Sequence, residues 1–364
     1  MGFNCGIVGL PNVGKSTLFN AMTAAGVPAE NYPFCTKDKN TGMVPVPDSR
    51  LAEIASIFKP ELVIPTQVEF VDIAGLVEGA HKGEGLGNKF LGHIRNVDAI
   101  AHVVRLFDAP DVVHNYPDID PIRDIEVVNT ELMLADLDSV MRRWQKIANS
   151  AKTGDKEAKK ELALLKKLKE ALEAGRPARE AGAAPEEEHL LADLGLVTDK
   201  PVIYVLNVNE DDVKSPSERV KRTLEKTQRE GAAAIEICGS IEGELADLPD
   251  EEKSAFLNDL GLEEAGLPRL IHAAYRLLDL VTFFTKDGPE VRAWTVKRGT
   301  KAPAAAGKIH TDFEKGFIRA EVYSCEELMK AGSEHALKEQ GHIRVEGHDY
   351  AIRDGDVVHF RFNI

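Results

Sequence analysis

Apolar residues along the chain change their period several times, and each change marks a different kind of element. Residues 3–8 (Phe-Asn-Cys-Gly-Ile-Val) form a short apolar run that meets a glycine turn at Gly9, and a helical stretch follows over Ser16–Ala25. Runs at 68–73, 100–107 and 201–206 are dense in β-branched residues, as expected of strands buried on both faces of a parallel sheet. From about 124 to 175 apolar residues recur at three- and four-residue steps, through Leu132, Leu137, Val140, Met141, Trp144 and Ile147. After a break near Thr153-Gly154-Asp155 the spacing resumes at Ala158, Leu162, Leu165, Leu168 and Leu172, and Gly175-Arg176-Pro177 ends it. This predicts two antiparallel helices packed as a hairpin. Because a strand pattern returns at 201–206, the hairpin reads as an insertion. Beyond about 280, short strands are predicted at 281–285, 290–296, 317–323, 342–345 and 357–362, with helices near 303–309 and 325–331, the alternation of a small α+β module.

The fold class is therefore α/β: a doubly wound, mostly parallel sheet carrying an inserted helical hairpin and followed by a smaller domain. The expected boundaries are 1–123 and 200–280 for the two parts of the sheet domain, 124–199 for the insertion and 281–364 for the last domain. Composition works by exclusion. With 43% hydrophobic and 29% charged residues, 29 Gly and 18 Pro, the chain is neither disordered, collagenous nor a disulfide scaffold. Its net charge of −15 removes any chain-wide basic field, so sequence-specific DNA binding is not expected and RNA would need a local patch. The four cysteines, Cys5, Cys35, Cys238 and Cys325, lack zinc or disulfide spacing, and reduced thiols in a cytoplasmic protein are expected. The N-terminus has no signal-peptide pattern, Gly6 stands where a myristoylation signal needs Ser or Thr, and no membrane span is expected.

Candidate chemistry begins at Gly9-Leu10-Pro11-Asn12-Val13-Gly14-Lys15-Ser16, a G-x-x-x-x-G-K-[ST] motif set between a predicted strand and a predicted helix. Backbone N–H groups of the Asn12–Thr17 stretch and the helix N-terminus would face the phosphates. Lys15 would reach the β/γ oxygens and Ser16 would bind Mg²⁺. The alternative is a glycine turn with a surface lysine. Asp72-Ile73-Ala74-Gly75 ends the next strand in a D-x-x-G pattern: Asp72 would hold Mg²⁺ through water and the Gly75 N–H would sense the γ-phosphate. The glycines at 79, 83, 85 and 87 suit a switch loop. Thr36 is the candidate switch threonine on Mg²⁺, against a plain turn hydroxyl.

At this point the sequence resembles the YchF subfamily of Obg-like ATPases along essentially its whole length. The carriers are Gly9–Thr17, Asn31-Tyr32-Pro33-Phe34-Cys35-Thr36, Asp72–Leu76, Gly85-Leu86-Gly87-Asn88 and Asn207-Val208-Asn209-Glu210. Glu290–Thr295, Gly307–His310, Asp312-Phe313-Glu314 and Asp354-Gly355-Asp356 are similar to that family's TGS domain, a ubiquitin-like β-grasp. Lys37-Asp38-Lys39 is more charged than the family pattern. The resemblance implies a P-loop ATPase switch and association with the ribosome or ribosomal RNA.

Guanine-specific relatives carry N-K-x-D where this chain has Asn207-Val208-Asn209-Glu210. The lysine is absent and Glu displaces the carboxylate by a methylene, so guanine readout should be lost. Adenine would meet backbone near Val208 or the loop at Cys238-Gly239-Ser240; Asn207 as a strand-end cap and Glu210 as a solvated carboxylate are the alternatives. The preference for ATP is what the resemblance adds. Leu76 stands where Ras-like enzymes place a water-orienting glutamine, so turnover should be slow until a partner supplies the missing group. His114, and less so His81, would supply it within the chain; a surface histidine is the alternative. Asn12 would hold a K⁺ ion against the phosphates, or simply brace the loop. In the last domain Lys286, Arg292, Lys297, Arg298, Lys301, Lys308, Lys315 and Arg319 mingle with Trp294, Phe313 and Phe317, compatible with RNA binding or with a solvated surface over core aromatics. An ATPase switch on the ribosome leads; a GTPase in ribosome assembly and a nucleotide-gated scaffold with negligible catalysis are the alternatives.

Overall fold

In the computed structural model, residues 3–24, 40–73, 75, 86–109, 111–112, 116–152 and 155–363 are described. Their strands, in chain order, are β1 (Asn4–Val8), β2 (Thr41–Pro45), β3 (Leu62–Ile64), β4 (Gln67–Asp72), β5 (Ala99–Arg105), β6 (Val202–Asn207) and β7 (Ala233–Ile237). They continue with β8 (Leu280–Asp287), β9 (Glu290–Lys297), β10 (Phe317–Ser324), β11 (Arg344–Glu346) and β12 (Asp356–Phe362). The chain falls into two compact units: Phe3–Gly42 with Glu69–Leu270, and Met43–Val68 with Ile271–Ile364.

The first unit is built on a sheet of order β2-β4-β1-β5-β6-β7, in which β4, β1, β5, β6 and β7 run parallel. Every residue of β5 is buried, which is why this strand has no polar alternation: helices cover both faces of a parallel sheet. Register sets Ile7 beside Asp72, Arg105 beside Asn207 and Asn207 beside Ile237. The carboxyl ends of these strands thus share one edge, and β1 sits where the strand order reverses, the place where open α/β sheets bind ligands.

The hairpin consists of Pro121–Lys152 and Lys156–Glu173. It starts before the expected residue 124 because Asp120 caps it, accepting from the N–H groups of Ile122 and Arg123 at 3.1 and 3.2 Å, with Pro121 in the first turn where no donor is needed. Val140, Ile147, Leu164, Leu165, Leu168 and Leu172 form its buried seam, and the Arg143–Glu161 pair bridges the two helices. The buried Asp136 carboxylate fastens the return segment, accepting from the backbone of Val197 and Thr198 and from the Thr198 hydroxyl.

The second unit has the order β11-β10-β12-β8-β9-β3, with β12 parallel to β8 at its centre. One face packs on the helix Ala302–Ile309 through Val281, Phe283 and Val296, and the other on Ser49–Phe58 and Cys325–Ala331. Residues 46–66, between β2 and β4 and expected within the 1–123 domain, belong here instead. The reason is pairing and burial: β3 adds in parallel to β9, Leu51 and Ile54 pack with Phe284 and Val291, and Arg50 meets Asp354 at 2.7 Å. The boundary expected at 281 falls at 271, where the Tyr275 hydroxyl bonds Thr282 and Thr295 at 2.7 and 3.0 Å. The aromatics proposed for RNA stacking pack against the protein itself: Phe317 is buried, the half-buried Phe313 stacks on Phe362 and the half-buried Trp294 packs against the core.

Candidate nucleotide-binding site

The chain leaves β1 in a loop whose backbone turns back on itself, with Asn12 at φ 62° and Gly14 at φ 95°. A Cβ on Gly14 would lie 2.2 Å from the Asn207 amide nitrogen, so only glycine fits both the conformation and the space. The helix Lys15–Ala24 starts here, its first N–H groups unpaired within the helix and its N-terminus electropositive. This edge opens into a cavity of about 1110 Å³, lined on one side by Asn12, Gly14, Lys15, Ser16 and Thr17.

Lys15 is buried, and its ammonium donates to the carbonyls of Leu10 and Gly9 at 2.7 and 3.2 Å. Burial pushes it down to about 8, with the charge of Asp72 opposing. Beneath it, burial and then the Lys15 charge push His102 down to about 3, so this imidazole is neutral at physiological pH. The Ser16 hydroxyl donates to Asp72 Oδ2 at 3.0 Å, and Asp72 Oδ1 is buried without a hydrogen-bond partner among the described residues. A hydroxyl beside an unsatisfied carboxylate oxygen is a hard oxygen donor set, which fits Mg²⁺. Gly75 lies against the loop, where a Cβ would come within 3.1 Å of the Pro11 nitrogen.

The other half of the cavity is lined by Phe107, Asp108, Val112, Asn207–Asp212, Ser217–Arg219, Gly239 and Ser240. Asn207, expected to touch the ligand, is 4% exposed and ties backbone together: it donates to Val13 O at 2.9 Å and accepts from Gly239 N–H at 3.0 Å. Its amide spans the phosphate loop, β6 and the turn after β7. Val208 is buried, and Glu210 accepts from the Ser240 hydroxyl at 3.0 Å. The sequence assigns no site role to Phe107, Asp108 or Arg219, and names Asn209 only within the 207–210 motif. The signal was a charged Arg105 ending an otherwise uncharged strand, with an aromatic residue two positions later. Thr36, Leu76, His81 and His114 lie outside the described residues.

Comparison with known proteins places this geometry in a family. Residues 4–134 match a family described as a 50S ribosome-binding GTPase, and residues 280–363 match the YchF-GTPase C-terminal family, described as a protein of unknown function. The chain is 56% identical to the ribosome-binding ATPase YchF of Haemophilus influenzae over the whole of both chains, and 52% identical to that of Bacillus subtilis, again end to end. The chain belongs to the YchF family. Its architecture matches the solved Schizosaccharomyces pombe YchF GTPase with a TM-score of 0.90 at 36% identity, covering 99% of this chain and 98% of that one. A P-loop domain with an inserted hairpin and a C-terminal β-grasp is thus the YchF architecture found here. The names of these relatives divide between ATPase and GTPase. Among the described residues, no cluster of three His, Cys, Asp or Glu side chains is placed to hold a metal, and no helix is long and apolar enough to cross a membrane.

Proposed function

We propose that this YchF protein is a Mg²⁺-dependent ATPase switch that prefers ATP to GTP, turns over slowly and acts on the ribosome in the cytoplasm. The observation that carries the base preference is the Asn207–Glu210 segment. Guanine needs a carboxylate free to accept from N1–H and the 2-amino group; here Glu210 is engaged by Ser240, and Val208 offers an apolar surface where a lysine would flank the base. Adenine asks for no carboxylate. The Phe107 ring and Val208, both at the cavity wall, suit a purine face.

At the other end, the Asn12–Thr17 backbone and the Lys15 ammonium would bind the phosphates, Lys15 leaving its loop carbonyls to do so. Ser16 and Asp72, with Thr36 from the first switch, would hold Mg²⁺, which when bound supplies charge neutralisation at the phosphate oxygens. Gly75 would sense the γ-phosphate through its N–H. With Leu76 unable to orient water, His114 is the proposed group for that task, and His114→Ala should cost about 10²–10⁴-fold in turnover with ATP affinity intact. Asn12, exposed at the cavity rim, is the proposed ligand of an activating K⁺. The ribosome enters from the names of the relatives and from the exposed cations of the second unit; the inward packing of Phe313 and Phe317 leaves charge rather than stacking to make that contact.

Calorimetry with ATP and GTP, with and without Mg²⁺, tests the central claim. ATP should bind more tightly and its affinity should depend on Mg²⁺. GTP bound at least about tenfold more tightly, a margin of about 1.4 kcal/mol, overturns it. Co-sedimentation with ribosomes in ATP and in ADP tests the partner.

A further inference from the structure

Arg105 ends β5 and is 2% exposed, among the largest fully buried side chains of the described residues. A buried guanidinium needs acceptors for its fixed fork of donors. Arg105 spends all three nitrogens on backbone carbonyls of the segment that follows it: Nε to Phe107 at 3.2 Å, Nη2 to Ala109 at 3.1 Å and Nη1 to Val112 at 3.1 Å. Its guanidinium carbon also lies 4.5 Å from the centre of the Phe107 ring. From the outside a second arginine grips the same segment. Arg219 Nη1 donates to Leu106 O at 2.9 Å and to Asp108 Oδ1 at 3.1 Å. The Asp108 N–H is held by Asn209 Oδ1 at 3.0 Å, and the Leu106 N–H by Asn207 O at 2.8 Å. Both neighbours of Phe107 are therefore fixed, and the ring has a cation on one side and the cavity before it.

The geometry points to Arg105 and Arg219 as positioning residues that hold Phe107 as a preformed wall for the nucleotide base. The inference rests on the reading that the cavity takes a nucleotide with its base at the Phe107 end. An aromatic ring on a free loop would lose entropy on ordering against a base; two arginines that fix the loop beforehand remove that cost from binding. The guanidinium behind the ring adds a cation–π contact that restricts the ring's tilt. Neither arginine acts on the phosphates, so the effect of losing one should appear in the base-dependent part of affinity alone.

The test compares ATP, GTP and inorganic tripolyphosphate, which carries the phosphates without a base. Arg219→Ala, a change at a partly exposed side chain, should raise KM for ATP about tenfold, the size of losing about one charge-assisted hydrogen bond, with kcat within about twofold. Tripolyphosphate affinity should stay at the wild-type value, and Arg219→Lys should recover most of the loss. Arg105→Lys keeps the charge but cannot reach three carbonyls, and should weaken ATP more than Arg219→Ala does, with the thermal midpoint recorded alongside. If Arg105→Lys does not fold, Arg219→Ala and Phe107→Ala decide. Unchanged ATP affinity in Arg219→Ala overturns the inference, as does an equal loss for ATP and tripolyphosphate. Should GTP prove the preferred ligand, the base assignment fails by itself, and a selective loss of GTP over tripolyphosphate in Arg219→Ala still upholds the role of the arginines.

Discussion

The two halves of the cavity are made in opposite ways. The phosphate half comes from one stretch, Gly9–Thr17, beside Asp72 and Gly75 from the neighbouring strand end, and in the proposed reading it would meet its ligand through backbone and one lysine. The base half is assembled from segments at 106–108, 207–210, 217–219 and 238–240, and nearly all its polar side chains bond one another or the backbone. A local loop has its geometry written into glycine positions and a helix start. A wall made of distant segments exists only once the sheet has set their spacing. Asn207 joins the halves, since its amide holds Val13 on one side and Gly239 on the other.

The largest expected effect separates them. Lys15→Ala should abolish ATP turnover, a loss of at least about 10²-fold, because the ammonium is the only side-chain cation among the residues lining the phosphate half. The circular dichroism spectrum should not change, since among the described residues the Lys15 ammonium bonds only two loop carbonyls. Turnover at the wild-type rate in this variant would remove the phosphate half from the mechanism altogether.

The second effect is a pH dependence carried by the same residue. Burial leaves the Lys15 ammonium at about 8, and a bound polyphosphate stabilises the protonated form. ATP affinity should thus be flat below pH 8 and fall as the pH rises through it, by up to about tenfold per unit. The terminal phosphate titrates near pH 6, well below this range. Calorimetry from pH 7 to 9.5 on the wild type and Lys15→Ala checks the sign: the slope should vanish in the variant, and a slope that survives belongs to another group.

How far each half was legible follows from the same contrast. The P-loop, the strand runs, the hairpin spacing and the strands of the last domain are periodic or contiguous signals, and they stand close to where the sequence put them. The segment 46–66 falls outside its expected domain because nothing local says which sheet a short strand joins; β3 is three residues long and its partner β9 lies more than 220 positions away. Asn207 was read as a ligand contact because the motif names its residue type, whereas its use as a cross-tie depends on Gly14 and Gly239 arriving beside it. Arg105 sat unremarked inside an apolar run, although a charge in a strand buried on both faces demands acceptors, and those acceptors led to Phe107.

Base selectivity should yield to a double change. Val208→Lys with Glu210→Asp restores the cation beside the base and shortens the acid to the reach that guanine requires. The ratio of GTP to ATP affinity should rise by about tenfold or more, since a hydrogen-bonding site discriminates strongly once its groups are matched. Calorimetry on the double variant reads this directly. A ratio that stays at the wild-type value would mean that Phe107 and backbone, rather than the 207–210 side chains, set the choice of base.

The smallest effect sharpens which side chain in the base half faces the ligand. Ser240 donates to Glu210 at 3.0 Å in a solvent-exposed contact, so Ser240→Ala frees one carboxylate oxygen without moving it. A freed acceptor still sits a methylene too far out and still lacks the neighbouring lysine, so GTP affinity should rise by only about two- to threefold, the worth of one weak exposed hydrogen bond. ATP affinity should not move, because adenine has no use for that oxygen and the wall formed by Phe107 and Val208 is untouched. A tenfold loss of ATP affinity would reverse the assignment. It would mean that the Ser240 hydroxyl meets adenine itself, and that Glu210 holds the serine in place for the base rather than being held away from it.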